Sequence, residues 1–385
     1  MSDPSGTAGA SDPPATAGPA GVTYAAAGVD VEAGDRAVEL MKAAVAATHS
    51  SRVLGGIGGF AGLFDASELV GLRSPLLATS TDGVGTKVAV AQAMDVHDTI
   101  GLDLVGMVVD DIVVCGARPL FMTDYIACGH VVPERIAAIV SGIAEGCRQT
   151  GAALVGGETA EHPGLLAPQE YDVAGAVTGV VEADSLLGPD RVRPGDVVIA
   201  MASSGLHSNG YSLVRRVLEL AGWGYERQVD DFGRTLGQEL LEPTRLYTRA
   251  CLAVAGDPAC QVRAYSHVTG GGLAANLARV LPAGVTATVE RSSWSPPPVF
   301  DVVGRLGRVP RSDLERTLNM GVGMLAVVGA DGVDATLAQL RDQGQQAWVC
   351  GAVRADHAVE TTPADVVRGA KGFQGGGVLL VGEHP

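Results

Sequence analysis

The chain has 385 residues, enough for two domains at about 150 residues each, and it is 46% apolar and 18% charged, which excludes global disorder. Its 53 glycines are about twice the usual share, yet there is no Gly-X-Y period and only 20 prolines, so collagen and low complexity are excluded as well. A net charge of −16, from 27 basic and 43 acidic residues, repels polyanions and excludes nucleic acid and anionic membranes as partners.

Residues 1–22 consist almost entirely of Ser, Asp, Pro, Gly, Thr and Ala, and are expected to form a disordered tail, with the ordered chain beginning near Tyr24. Ala37, Met41, Ala44 and Val45 follow helical spacing in a helix expected from Asp35. Gly55-Gly56-Ile57-Gly58-Gly59-Phe60 exposes backbone; no strand precedes it, so it is not a dinucleotide fingerprint, and both a flexible turn and a nucleotide cover remain open. Pro75–Ser80 has the length of a strand and runs into Thr81-Asp82-Gly83-Val84-Gly85-Thr86-Lys87. There the glycines turn the chain and bare N–H groups, Lys87 offers a point charge and Asp82 a cation ligand; a purely structural turn is the alternative.

Ile100–Val114 is predicted as a helix with Asp103, Asp110 and Asp111 near one face. Carboxylates amid Val, Met and Ile are costly to bury unpaired, which favours a divalent cation, drawn from Asp82, Asp103, Asp110, Asp111, Asp124, Glu158 and Glu161. Phe121–Ala127 reads as a strand, Pro133 opens a helix, Ala153–Val155 is a strand ending at Gly156-Gly157-Glu158, and Tyr171–Val181 is a longer one.

A boundary is expected at Gly188–Pro194, dividing the chain into α/β halves at 23–187 and 188–385. Strand Val197–Ala202 leads into Ser203-Ser204-Gly205-Leu206-His207-Ser208-Asn209-Gly210, which opens helix Tyr211–Leu220. His267-Val268-Thr269-Gly270-Gly271-Gly272 opens helix Leu273–Leu281 in the same way. Both loops suit anions through their N–H groups and the following helix, and each histidine is either a ligand donor or an ordinary structural hydrogen-bonder. Strand Gly323–Val328, helix Val333–Asp342 and strand Ala347–Val353 follow; the stretch past Arg354 has no clear element. Two anion loops in one half and two glycine loops in the other suit a nucleotide together with a phosphorylated substrate. Six cysteines without paired spacing, no apolar run near about 18 residues and no leader pattern predict a soluble, cytoplasmic protein.

In this order the motifs resemble one family, the phosphoribosylformylglycinamidine cyclo-ligases, or aminoimidazole ribonucleotide synthetases. The stretches that carry the likeness are Tyr24, Ala27-Gly28-Val29-Asp30, Ala33-Gly34, Gly55–Phe60, Thr81–Lys87, His97–Val105, Gly156–Ala160, Tyr171–Gly175, Ser203–Gly210, His267–Gly272 and Asn319–Met324, across 24–353. The resemblance implies two α/β domains, a homodimer whose N-terminal sheets join in a barrel, and ATP-dependent closure of formylglycinamidine ribonucleotide to aminoimidazole ribonucleotide through an iminophosphate. It implies an ATP site at Lys42, Gly56, Gly58, Asp82, Gly83, Val84, Gly85, Thr86 and Lys87, and Mg²⁺ on Asp82, Asp103, Asp111 and Glu158. Substrate would meet Ser204, His207, Ser208, Asn209, His267, Thr269, Gly270 and Gly271, with His207 handling protons beside Lys87 and Asp111. Asp110-Asp111 stands where the family has Asn-Asp, so which carboxylate faces a metal is open. Selenophosphate synthetase, thiamine-monophosphate kinase and the hydrogenase maturation protein share the wider superfamily. Selenophosphate synthetase is disfavoured because the first cysteine is Cys115.

Overall fold

Asp30, whose side chain accepts from the Ala33 N–H, starts the first helix, so α1 spans Val31–Ala46 and begins four residues before the apolar spacing indicates. The computed structural model describes residues 30–56, 58–358, 366–368 and 375–385; the expected tail 1–22, Tyr24, Ala27–Val29 and Ile57 lie outside the described residues. Helices α2 Val88–Met94, α3 Ile100–Val113 and α4 Pro133–Thr150 follow in the first half. Pro133 sits where a missing N–H costs nothing and Gly151 closes α4.

Four strands, β1 Pro75–Gly83, β2 Arg118–Cys128, β3 Ala153–Glu161 and β4 Tyr171–Glu182, form a sheet ordered β1-β4-β2-β3. β4 is antiparallel to β1 and β2, while β2 and β3 are parallel, as the α4 crossover requires. Gly156-Gly157-Glu158 therefore lies inside β3, paired with Thr123–Tyr125, so the strand runs on past the Val155 end expected for it. The 55–60 glycine segment also departs from expectation. A two-residue strand, Val53–Leu54, does precede it and pairs with Leu63–Phe64, making a hairpin with Phe60 fully exposed at its tip.

α3 and α4 cover one face of this sheet. They approach to backbone contact because Gly101 faces α4: a Cβ there would lie 2.2 Å from the Ile143 nitrogen. The opposite face is open. Register places Leu77, Thr79, Thr81, Thr123 and Tyr125 on it, and all five are exposed, Leu77 at 65%.

The second sheet has seven strands: β5 Val197–Ala202, β6 Val262–His267, β7 Val285–Glu290, β8 Val322–Val328, β9 Ala347–Ala355, β10 Val367–Arg368 and β11 Gly377–Val381. Their order is β6-β8-β5-β9-β7-β11-β10, antiparallel except for β7 and β11. The stretch past Arg354 thus supplies two added strands, β10 and β11, where no element was expected. Helices α5 Tyr211–Ala221, α6 Leu236–Leu240, α7 Thr248–Gly256, α8 Gly272–Arg279, α9 Pro298–Gly307, α10 Arg311–Thr317 and α11 Val333–Asp342 complete this half.

β5 is apolar on both faces, as a central strand must be. Val198 and Ala200 pack with Leu273 and Leu277 of α8, whereas Ile199 and Met201 join a core continuous with α3 and α4. The two sheets therefore share buried apolar contacts, and the loops at the ends of β1, β5 and β6 meet where they do because α3 is common ground.

Candidate active site

α3 divides its three carboxylates by burial. Asp103 is fully buried and accepts from Lys87 Nζ at 2.8 Å, the Thr244 N–H at 2.8 Å and Thr244 Oγ1 at 2.6 Å. Lys87, equally buried, also donates to the carbonyls of His207 at 3.1 Å and Glu242 at 2.7 Å. Burial pushes the Asp103 carboxyl up, against the pull of Lys87 and Thr244. Lys87 and Asp103, expected at the phosphate and metal, are thus buried and engaged with each other. Asp110 is buried too; it accepts from the Tyr247 N–H and from Thr248 Oγ1 at 2.7 Å and so caps α7. Burial, outweighing the His267 charge, raises it to about 6. Asp111 remains, its side chain 41% exposed, as the carboxylate that faces outward.

Three loops converge beside it. Ser208 Oγ donates to the Val84 carbonyl at 2.6 Å, and Thr86 Oγ1 shares a hydrogen bond with Ser212 Oγ at 3.1 Å. With the Lys87–His207 bond, these contacts tie the Asp82–Lys87 turn to the Ser203–Gly210 loop. Asn209 Nδ2 reaches Met107 Sδ at 3.3 Å, and Asn209 Oδ1 lies 3.4 Å from where a Cβ on Gly270 would be, so the Thr269–Gly271 loop closes on the same place. Asn276 holds that loop by donating to the carbonyls of Thr269, Gly270 and Gly272. Ser204 Oγ is engaged by the Pro243 carbonyl at 2.6 Å.

The two histidines differ in what they can do. His207, at φ 61 and 1% exposed, receives the Ser204 N–H on Nε2 at 3.2 Å. A backbone N–H only donates, so Nε2 is the acceptor, and the neutral ring carries its proton on Nδ1, which is buried without a partner. Burial, then the charges of His267, Lys87 and Arg245, hold its pKa well below the usual range. His207 is therefore a hydrogen-bond donor with no free lone pair, so of the proton handling expected of it the geometry leaves donation from Nδ1. Its ring stands between Tyr247 and Gly323, where a Cβ would lie 2.0 Å from the Tyr247 hydroxyl and 2.5 Å from His207 Cε1.

His267 has the free nitrogen. Nδ1 meets Asp111 Oδ1 at 2.9 Å, and Nε2 is buried and unpartnered. Burial alone would lower its pKa. The hydrogen bond and charge of Asp111, with the charges of Asp110 and Asp82, raise it instead.

The remaining expected residues are dispersed. Asp82 is exposed at the end of β1 and bonds the Gly83 N–H at 2.8 Å. Register puts Glu158 on the open face beside Tyr125 and Ala174, and Asp82 on the other face, so these two carboxylates are not brought together. Lys42 is exposed on α1 and paired with Glu39; Gly56 and Gly58 are exposed in the hairpin. Among the described residues no three His, Cys, Asp or Glu side chains form a ready metal cluster. Asp82 and Asp111 nonetheless fit magnesium by chemistry: they are exposed hard-oxygen donors close enough to act on the same histidine, and Mg²⁺ takes one or two carboxylates and completes its shell with phosphates and water.

Sequence reasoning missed Thr244, Tyr247 and Asn276. Thr244 and Tyr247 work through partners far along the chain, Thr244 reaching an aspartate 141 residues away, so no local spacing reveals them; Asn276 bonds carbonyls only four to seven residues before it.

Comparison with known proteins bears on this arrangement. The family described as "AIR synthase related protein, N-terminal domain" matches residues 69–181, and its C-terminal-domain counterpart matches residues 193–362. A phosphoribosylformylglycinamidine cyclo-ligase of Anaeromyxobacter dehalogenans (strain 2CP-C) is 50% identical, over 90% of this chain and 99% of its own. One from Pseudothermotoga lettingae is 46% identical, over 91% of this chain and 99% of its own. Among solved structures, thiamine-monophosphate kinase from Stenotrophomonas maltophilia superposes with a TM-score of 0.61 at 19% identity, covering 90% of this chain and 96% of that one. The hydrogenase maturation protein HypE in complex with ATP gives 0.55 at 17% identity, covering 84% and 86%. At such identities these two show a shared fold.

Proposed function

The chain belongs to the phosphoribosylformylglycinamidine cyclo-ligase family, and on that footing we propose that it closes formylglycinamidine ribonucleotide to aminoimidazole ribonucleotide, spending ATP and releasing ADP and phosphate. The observation that carries this reading is the meeting of the Asp82–Lys87, Ser203–Gly210 and Thr269–Gly271 loops around the Asp111–His267 pair. These are glycine- and serine-rich loops from both halves, suited to holding two phosphorylated molecules side by side.

The chemistry requires such a place. An amide carbonyl is a weak electrophile with no usable leaving group. Transfer of the γ-phosphoryl from ATP to the formyl oxygen, with departure of ADP and loss of the amide N–H proton, gives an iminophosphate; the amidine nitrogen then attacks that carbon, and the C–O bond breaks to release phosphate. Positioning and charge neutralisation supply most of the catalysis. In this reading His267 Nε2 takes the proton from the attacking nitrogen, while Asp111 orients the ring and stabilises the imidazolium. His207 Nδ1–H supplies a hydrogen bond. Lys87 acts indirectly, by fixing the His207 carbonyl. Asp82 and Asp111 are the residues that would hold magnesium, which when bound neutralises triphosphate charge. Backbone of Gly83–Thr86 would face the ATP phosphates; Gly56 and Gly58 in the hairpin would cover the nucleotide.

Incubating the protein with ATP, Mg²⁺ and formylglycinamidine ribonucleotide is expected to yield aminoimidazole ribonucleotide and ADP in equal amounts. ADP without the imidazole would argue for another activity of the wider superfamily.

The reading includes a homodimer in which the open faces of two four-stranded sheets close on each other. Support comes from Leu77 at 65% exposure and Tyr125 at 41% on a sheet face that lacks a cover. Sedimentation is expected to give twice the 39.1 kDa chain mass, and Leu77→Glu to shift the protein toward the single-chain mass. All six cysteines are free and no described helix is long and apolar enough to cross a membrane, which fits a cytoplasmic enzyme.

A further inference from the structure

Beside the Asp111–His267 pair lies a cavity of about 250 Å³, walled by the end of α3, the Leu187–Pro189 linker, the end of β6 and one side of α8. Its polar lining is Asp111, Cys115, Ser266, His267, Asn276 and Arg279. We propose that this cavity is a phosphate-monoester subsite that takes the 5′-phosphate of the ribonucleotide substrate, with Arg279 as its cation and the Ser266 hydroxyl as its buried donor. The proposal rests on the ring-closure reading above for the identity of that substrate.

One polar atom in the lining is a buried donor with nothing to bond: Ser266 is 2% exposed and its Oγ has no partner. A buried polar atom left unsatisfied is costly, and a hydroxyl at a cavity wall is suited to a ligand rich in oxygen. Arg279 is exposed at the same cavity, and Asn276 Oδ1 accepts from its Nη1 at 3.2 Å. Asn276 is itself buried and holds the Thr269–Gly272 loop with its other end. The guanidinium is thereby set in fixed relation to the glycine loop, with most of its five donors left for a ligand. In a chain of net charge −16, a cation at the cavity supplies the local attraction a dianion needs.

Size and charge also separate this ligand from the nucleotide. The cavity falls below the roughly 300–1,000 Å³ of pockets for drug-sized ligands and suits a sugar phosphate. Asp111 stands at one wall of the cavity, bonded to His267, and Arg279 lines it too, so the guanidinium is the group that would meet a monoester dianion.

Arg279→Met, with Ser266→Ala as a second variant, tests the assignment. KM is measured separately for formylglycinamidine ribonucleotide and for ATP, and equilibrium binding is measured for the ribonucleotide and for its dephosphorylated ribonucleoside. Arg279→Met is expected to raise the ribonucleotide KM about tenfold or more, with kcat and the ATP KM within about twofold; Ser266→Ala is expected to move in the same direction by less. Wild type is expected to prefer ribonucleotide over ribonucleoside, and Arg279→Met to lose most of that preference. A rise in the ATP KM instead would assign the cavity to the nucleotide and overturn the proposal, as would two unchanged KM values. The binding arm needs no turnover, so a failed ring-closure assay and a failed cavity assignment are read separately.

Discussion

Lys87→Met is expected to remove about 3–5 kcal/mol of folding stability, read as a shifted midpoint in urea with an unchanged slope. The reason is what the lysine leaves behind. Asp103 is fully buried, and without the ammonium it keeps only Thr244 to offset its charge. The carbonyls of His207 and Glu242 lose a donor at the same time. A charge removed from water and then deprived of its partner costs far more than the pair was worth. For that reason the double change Lys87→Met with Asp103→Leu is expected to recover much of the loss. Turnover is not expected to recover with it, because the His207 carbonyl is still untethered. A single variant within about 0.5 kcal/mol of wild type would contradict the burial argument.

Asp111→Asn should have the largest effect on chemistry with little effect on folding, since its side chain is half in solvent. It removes the charge that orients His267 through Nδ1 and the carboxylate that faces outward beside it. A fall in kcat of about 10²- to 10⁴-fold is expected, the usual range for losing an oriented proton-transfer group. The sign of the accompanying titration is fixed. The Asp111 carboxylate favours imidazolium, so its replacement lowers the His267 pKa, and the ring proton resonance should titrate at lower pH in the variant. If kcat survives and only the ATP KM rises, Asp111 serves the metal alone and the Asp111–His267 pair is not the proton path.

How much of this was readable without coordinates depended on how local each cause is. Val197–Ala202 and Val333–Asp342 are bounded as their apolar patterns indicate, because a period of two or of 3.6 is written in adjacent residues. The glycine and histidine loops were legible as candidate anion sites for the same reason. Lys87 was not: Thr81–Lys87 looks like a phosphate turn in any protein, and only Asp103 and Glu242, supplied by distant segments, draw its ammonium inward. The choice between Asp110 and Asp111 was closed to sequence as well. It depends on the start of α7 presenting the Tyr247 N–H and the Thr248 hydroxyl to one neighbour and not the other, across 137 and 138 positions of chain. Gly157 was read as the end of a strand, yet the strand continues through it, and a Cβ there would strike Asp124 Oδ1 at 1.7 Å, so the glycine makes room for a buried acid.

The ties between Ser208 and Val84, Thr86 and Ser212, and Lys87 and His207 carry an implication for descent. Halves joined this way are a matched set: a chimera fusing residues 1–187 to a second half without serines at 208 and 212 would leave the Val84 carbonyl and the Thr86 hydroxyl without their partners. Substitutions that remove one of these hydroxyls call for a matching change on the other side of the seam.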